Sequence, residues 1–434
     1  MRKFKEAYEM LFDLDENDNN KNIIKELLNF GEIKQYINII KEGKENNLGK
    51  FNFKKMIMDE KAHFDLDNYG DYINPKLEIQ FEKNKGIKLI ANENIKIGEL
   101  ILVEKALFFK EDKNEVGRIN KPNLKPLDCS EPSLTRDIDF FNKLAEEVSK
   151  YPLDNEKFYY LYDGKNLNED INQRKKYMEN QENGKIRLNR DKVINVIFNN
   201  KYQIGRNFIF YNSISNGIWG YASLFNNDCS PNTTYLGIGN FFISFSIKEI
   251  KKGEEITCRY DNSSLTYKGR QEKLLKYWGF KCKCHLCEYQ EKKDYSEYNN
   301  FIERFDPQSE DKINSEFIES FQKFLEDNEN NYNYYDLANA YFQLEIYYSQ
   351  IKDFHHAKKF SDLVTKHSEG NNYLFNLPNL YKIVLSMLGD KDNSISEAMK
   401  SVENFLDKYT PFTKEEINCF IDDNIEQFTK RAKK

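Results

Sequence analysis

Three cysteines fall within six positions in the run Cys282-Lys283-Cys284-His285-Leu286-Cys287, and they are the strongest chemical signal in the chain. Three thiolates this close can wrap one soft or borderline cation, and tetrahedral zinc then needs a fourth ligand from elsewhere. The candidates are His285, Cys229, Cys258 and Cys419. His285 is flanked directly by a ligand, which makes it sterically awkward for the same ion. Cys229 lies in a Pro-containing loop and is the more attractive. The competing reading is buried or redox-active thiols, with a C-x-x-C pair at Cys284 and Cys287, but no βαβ pattern surrounds that pair. Seven cysteines in 434 residues do not make a disulfide scaffold, so the crowding points to metal in a reducing compartment.

Two other runs hold residue types that could do chemistry. Residues 223–232 read S-L-F-N-N-D-C-S-P-N, and residues 253–260 read G-E-E-I-T-C-R-Y. Taken singly, Asn-Asn-Asp and Ser-Pro-Asn are ordinary turn formers, and a tyrosine at a strand end is ordinary core or surface. Their order is more telling. G-x-x-L-x-A at 86–91 precedes N-x-x-C-x-P-N at 226–232, then G-E-E-I-T-x-x-Y, then W-G-F-x-C-x-C-x-x-C at 278–287.

The elements that must position these residues change character along the chain. Apolar residues recur at helical spacing in AYEMLFDL, IIKELL, IKQYINII and FNFKKMIMDEKAHF, so residues 1–64 read as a helical region. The period then shortens. LEIQFE, GIKLIA and ELILVEKALFF suit strands, as do YASLF, TTYLGI, FFISFSI and EITCRY between Trp219 and Tyr260. Between them, residues 110–205 are charged, Asn-rich and broken by Pro122, Pro126, Pro132 and Pro152, which reads as an insertion. One helix, Lys268 to Tyr277, leads into the cysteine cluster, and from about 293 onward the pattern is helical throughout. The run I-K-x-G-E-x-I occurs twice, at 95–101 and 250–256, and predicts two tight turns with glycine at positive φ, each feeding a strand.

With its motifs in this order, the chain resembles the SET-domain protein-lysine methyltransferases, in the branch of the SET-and-MYND proteins and particularly the TPR-and-SET proteins. The motif-bearing likeness covers residues 66–109 and 217–289. It implies an α+β fold: a SET β-fold with a pseudoknot and a zinc-bound post-SET segment, followed by α-helical, TPR-like stacking. The implied division is a helical region to 64, SET domain at 65–109 and 206–265 around the 110–205 insertion, post-SET zinc segment at 266–290, and helical domain at 291–434. The implied cofactors are S-adenosyl-L-methionine and zinc. Gly86, Lys88 and Leu89 would offer the cofactor backbone, and Asn226 with Asn227 would hold its amino and adenine groups. Tyr260 would be the catalytic tyrosine and a cofactor contact, and Phe280 would wall the cofactor or the lysine channel. Cys229 would join Cys282, Cys284 and Cys287 on the metal. The implied partner is a substrate protein's lysine, histone or non-histone, with peptide or protein docking on the carboxyl-terminal helices.

The pattern departs from the family in three places. Asn227 and Asp228 stand where the family writes histidine and serine, so an imidazole contact is lost. Lys88 stands where a second glycine lets backbone approach the cofactor. The insertion holds only Cys129 and no histidine, so a MYND finger is not expected there. The competing function is a catalytically weak or inactive SET-derived module that binds proteins through its helical lobe.

The net charge, 65 basic against 71 acidic residues, is −6, which argues against nucleic acid as a direct partner. No apolar run approaches the ~20 residues of a membrane span. The amino terminus is amphipathic and soon acidic, unlike a secretory signal, so a cytoplasmic or nuclear location is expected.

Overall fold

The computed structural model describes residues 48–61, 66, 69–83, 86–110, 160–162, 172–173, 176, 179–182, 185–188, 196, 199–205, 214–260, 266–305, 313–351, 353–367, 407 and 410–419. The helices foreseen within 1–47, most of the insertion, and the helical runs at 380–388 and 395–406 lie outside the described residues.

Helix α1 (Phe53–Lys61) precedes a strand-rich body. Its strands are β1 (Tyr72–Ile73), β2 (Leu77–Glu82), β3 (Gly86–Ala91), β4 (Leu100–Lys105) and β5 (Phe108–Lys110), then β6 (Glu179–Glu182), β7 (Lys185–Leu188), β8 (Lys201–Gly205) and β9 (Ile214–Ile218). After β9 come β10 (Asn226–Asn227), β11 (Thr233–Ile238), β12 (Phe241–Ser246) and β13 (Thr257–Cys258). The helices that follow are α2 (Tyr267–Trp278), α3 (His285–Glu291), α4 (Ser296–Ile302), α5 (Ser315–Asn328), α6 (Tyr334–Gln350) and α7 (Phe354–His367).

The strands form small sheets rather than one large one. The central sheet has the order β1-β4-β12-β11, β2 and β3 form a hairpin, β5-β9-β8 form a third sheet, and β10 pairs with β13 in parallel. Strand β12, FFISFS, is buried at every position because both of its faces are covered. Phe241, Ile243 and Phe245 face α1 and Leu236 in one core. Phe242 faces Trp219, Phe225 and Ile101 in another.

The first of these cores is completed from far away in sequence. Phe412 packs edge-on against Phe53 at 4.9 Å, and Ile417 is buried in the same cluster. The Glu416 carboxylate accepts from the Phe53 backbone N–H at 2.6 Å, and Lys54 pairs with Glu415 at 2.6 Å.

The two I-K-x-G-E turns meet. Gly98 and Gly253 have φ of 77° and 89°, and Ile95 and Ile250 exchange backbone hydrogen bonds of 2.8 and 2.9 Å. In each turn the glutamate after the glycine accepts from the lysine backbone N–H, Glu99 from Lys96 and Glu254 from Lys251. The repeated motif therefore builds a pair of turns that fasten β3 and β4 to the segment leading into β13.

One expected strand is not one. YASLF forms a 3-10 turn over Ala222–Leu224. The wholly buried Glu104 carboxylate, on β4, accepts from the backbone N–H groups of Tyr221 and Ala222 at 3.0 Å and so holds a turn where apolar spacing suggested extension. The strand foreseen over EITCRY is likewise confined to Thr257–Cys258.

Helices α4 to α7 bury an aromatic core of Tyr298, Phe317, Phe321, Phe324, Tyr341 and Phe360. Asn314 and Asn333 cap α5 and α6 by accepting from Phe317 and Asp336 N–H. Asp336 is buried beside this core, where its carboxylate accepts from Tyr295 Oη and from Gln290 Nε2. Burial raises its pKa to about 6, against the opposing pull of Tyr295, Arg270 and Gln290. The protonated acid is thus favoured by folding, and its contribution is complete below the unfolded value near 4 and lost as pH climbs to about 6. Between pH 4 and 6.5 the native chain should lose roughly 2–3 kcal/mol relative to Asp336→Asn, with no further divergence above. Parallel urea-unfolding curves across that range would refute this assignment.

Candidate functional site

The two central motif segments lie side by side. Asn226 pairs with Thr257 and Asn227 with Cys258 in the parallel β10–β13 ladder. Asn232 clamps the same junction, accepting from Thr257 N–H at 2.9 Å and donating to the Glu255 carbonyl at 2.8 Å. Sequence reasoning gave Asn232 no role, although it closes the N-x-x-C-x-P-N motif.

Tyr260 emerges from this junction and is held at two points. Its hydroxyl donates to the Phe225 carbonyl at 2.8 Å, and its backbone N–H donates to Asn227 Oδ1 at 3.0 Å. Burial raises the phenol pKa well above its ordinary value, and the neighbouring Cys258 and Glu255 push the same way. Tyr260 therefore keeps its proton at neutral pH. Its ring lies 5.5 Å from Trp278 and 6.4 Å, edge-on, from Phe280. Trp278, 41% exposed, was quoted in the W-G-F motif but given no function. Gly279 ends α2 in the left-handed conformation, φ 75°, and so turns Phe280 back toward Tyr260. A Cβ there would meet nothing within 4 Å, so the demand for glycine is conformational, not steric.

Gly86 opens β3 with φ 85°, and Leu89 is wholly buried with its carbonyl accepting from Ile256 N–H at 2.9 Å. Lys88 is led along the hairpin, where its amine pairs with Glu82 on β2. Asn226 donates to the Glu255 carboxylate. A further aromatic from the insertion, Tyr202, joins the site by donating to the Ala222 carbonyl at 2.8 Å.

Cys229, Cys282, Cys284 and Cys287 converge, with all four sulfurs within 4.8 Å of one another. The Cys229–Cys282 and Cys229–Cys287 separations are 3.9 and 3.5 Å. A tetrahedral site with ~2.3 Å metal–sulfur bonds has sulfurs about 3.8 Å apart, so this donor set fits such a cation. Cys258 is excluded from the set: it is buried under the site and touches Tyr202 and the Phe225 carbonyl instead. Gln271 fixes the ligand loop by donating to the Cys282 carbonyl at 3.0 Å and accepting from its N–H at 2.9 Å.

The crowded thiols govern one another's protonation. Hydrogen bonds from Cys282, Cys284 and Cys287 draw Cys229 far below its ordinary thiol value, and their hydrogen bonds to Cys229 and the burial of the cluster hold Cys284 and Cys287 well above theirs. A cation among the sulfurs is what lets all four be thiolates together. Beside them Arg270 is fully buried, and its Nε and Nη1 meet no oxygen or nitrogen partner. Four thiolates and a divalent ion would sum to two negative charges, one of which a buried guanidinium offsets. Sequence reasoning missed Arg270 because it reads as one more basic residue on a polar helix.

The family model described as the SET domain matches residues 86–261. The chain carries a SET domain. It is 33% identical over 73 residues to a SET domain-containing protein of Acanthamoeba polyphaga mimivirus, a match covering 17% of this chain and 29% of that protein. It is 33% identical over 79 residues to histone-lysine N-methyltransferase set5 of Schizosaccharomyces pombe, covering 18% of this chain and 25% of that protein. It is 32% identical over 76 residues to histone-lysine N-methyltransferase SMYD3 of Mus musculus, covering 18% of each. In all three the matched stretch is less than a third of the relative. Among the described residues, no helix of the SET domain or beyond it is long and apolar enough to cross a membrane.

The Glu104 carboxylate is the hinge of the SET domain's 221–225 turn, whose Phe225 carbonyl receives Tyr260. Glu104→Gln keeps the shape but leaves one good acceptor for two buried N–H groups, and should cost roughly 2–3 kcal/mol in urea unfolding. A loss under about 0.5 kcal/mol would show that the turn stands without the carboxylate.

Proposed function

We propose that the SET domain is a protein-lysine N-methyltransferase dependent on S-adenosyl-L-methionine, with a structural zinc at the four cysteines. The observation that carries this reading is Tyr260: its protonated hydroxyl is fixed by the Phe225 carbonyl, and its ring is bracketed by Trp278 and Phe280.

When bound, the cofactor supplies an electrophilic methyl group for in-line displacement by an uncharged lysine amine, a reaction in which alignment is most of the catalysis. The surrounding residues suit a cationic ligand. Glu255 supplies a carboxylate beside Asn226, and the three aromatic rings offer faces that attract a cation. Lys88, the cation within the 86–91 motif, is paired with Glu82. Gly86, Lys88 and Leu89, with Asn226 and Asn227, would form the cofactor's side of the site. Phe280 and Trp278 would wall the lysine channel and exclude water. Tyr260 acts as a fixed hydrogen-bonding group and not as a base, because its phenol stays protonated.

Cys229, Cys282, Cys284 and Cys287 would hold one zinc ion whose part is structural, since four thiolates fill its coordination sphere and leave no open position. Its effect is to pin the short loop bearing Phe280 against Tyr260.

Titration calorimetry with S-adenosylmethionine tests the cofactor first, and absence of both heat and thermal shift at millimolar cofactor would leave only the binding-module reading. Given binding, Tyr260→Phe should cut methyl transfer onto a histone mixture by about 100-fold or more while cofactor Kd stays within about threefold. Equal losses in binding and transfer would deny Tyr260 its role. Elemental analysis should find about one zinc per chain, and a chelator that removes it should lower the thermal midpoint. A metal-free chain of unchanged stability would overturn the ligand assignment.

A further inference from the structure

Asn227 occupies the position between the cofactor motif and the first cysteine ligand, and its side chain is committed in two directions. Its Nδ2 donates to Cys282 Sγ at 3.4 Å, and its Oδ1 accepts from the Tyr260 backbone N–H at 3.0 Å. The amide orientation is dictated by its neighbours: a thiolate can only accept, and a backbone N–H can only donate. The next residue, Asp228, continues the ladder by donating its N–H to the Cys258 carbonyl at 2.9 Å. One carboxamide therefore spans from a metal-ligating sulfur to the main chain of the tyrosine in the site.

We infer that Asn227 is a positioning residue that makes the placement of Tyr260 depend on occupancy of the metal centre. An N–H donated to a coordinated thiolate withdraws charge from sulfur and fixes the donor, as outer partners of metal ligands do. The sulfur's position is set by the ligand cluster, so loss of the metal frees Cys282 Sγ to move and loosens one anchor of the amide. The other end, Oδ1, is then free to swing, and the Tyr260 main chain loses its lateral restraint while the Phe225 bond remains. Where the family writes histidine, this chain has a carboxamide whose donor and acceptor sit on separate atoms and point to separate partners. This inference rests on the reading of Tyr260 as the catalytic tyrosine.

The test compares the full-length chain with Asn227→Ala, Asn227→Asp and Asn227→His. Asn227→Asp keeps the acceptor for Tyr260 but loses the donor to sulfur. Competition with a chromophoric chelator, using zinc alone, should show affinity weakened by about 10-fold or more in the Ala and Asp variants. In cobalt-substituted protein the sulfur-to-metal charge-transfer band should shift in both. Amide hydrogen exchange at Tyr260 should accelerate by about 10-fold or more in zinc-loaded Asn227→Ala, and in the native chain only after zinc is removed. Asn227→His, able to donate and accept, should restore most of both properties. If the enzyme turns over, Asn227→Ala should lower kcat more than it raises the cofactor KM. Unchanged Tyr260 exchange in zinc-loaded Asn227→Ala, or an unshifted cobalt spectrum, would overturn the inference. The metal and exchange measurements need no activity, so a chain that fails to methylate would refute the enzymatic reading while leaving this coupling separately decided.

Discussion

Four sulfurs cannot share so small a volume as thiolates without a positive charge between them, and most of the site's geometry follows from that constraint. Cys229 belongs to the loop after β10, whereas the other three come from the stretch following α2. The convergence of the sulfurs thus joins two segments some fifty residues apart, as the 53-residue separation of Cys229 and Cys282 records. Arg270, buried beside the sulfurs on α2, donates to Gln290, which in turn meets Asp336 on α6. Tyr335, next in sequence, lies under the guanidiniums of both Arg259 and Arg270 at 5.2 and 5.4 Å. Three polar side chains and one aromatic ring therefore link the surroundings of the cluster to α6.

Much of this was legible in the residues themselves. The spacing of Cys282, Cys284 and Cys287 brings three thiols together, and Cys229, presented by a Pro-containing turn, stood out as the one to join them, which is where its sulfur lies. Helix α2 and helices α5 to α7 fall where the 3.6-residue period places them, whereas their caps Asn314 and Asn333 were not singled out in the sequence. Gly98, Gly253 and their strands were likewise readable, because a tight turn with positive φ leaves few alternatives to glycine.

What was not legible depends on partners distant in sequence. Residues 221–225 look like a strand because Tyr221, Leu224 and Phe225 are apolar, and only Glu104, over a hundred positions earlier, makes them turn. Glu104 itself reads as a charged residue interrupting an apolar strand. Lys88 seemed an obstruction, since the sequence does not reveal that Glu82 across the hairpin draws its amine aside. Asn227 read as a missing imidazole, because its two bonds run to residues 33 and 55 positions away.

The contact between α1 and the segment around Phe412 bears on how the chain reaches this state. The Phe53 N–H and the Glu416 carboxylate are 363 residues apart, and Phe53, Phe245 and Phe412 share one apolar cluster. Contacts of such sequence separation must wait for loop closure and slow the search for the native topology. On the ribosome, the face of β12 bearing Phe241, Ile243 and Phe245 would be made long before the residues that seal it. Until Phe412 and Ile417 leave the exit tunnel, the part of that cluster around Phe53 and Phe245 lacks its cover, an exposed aromatic surface on which chaperones act.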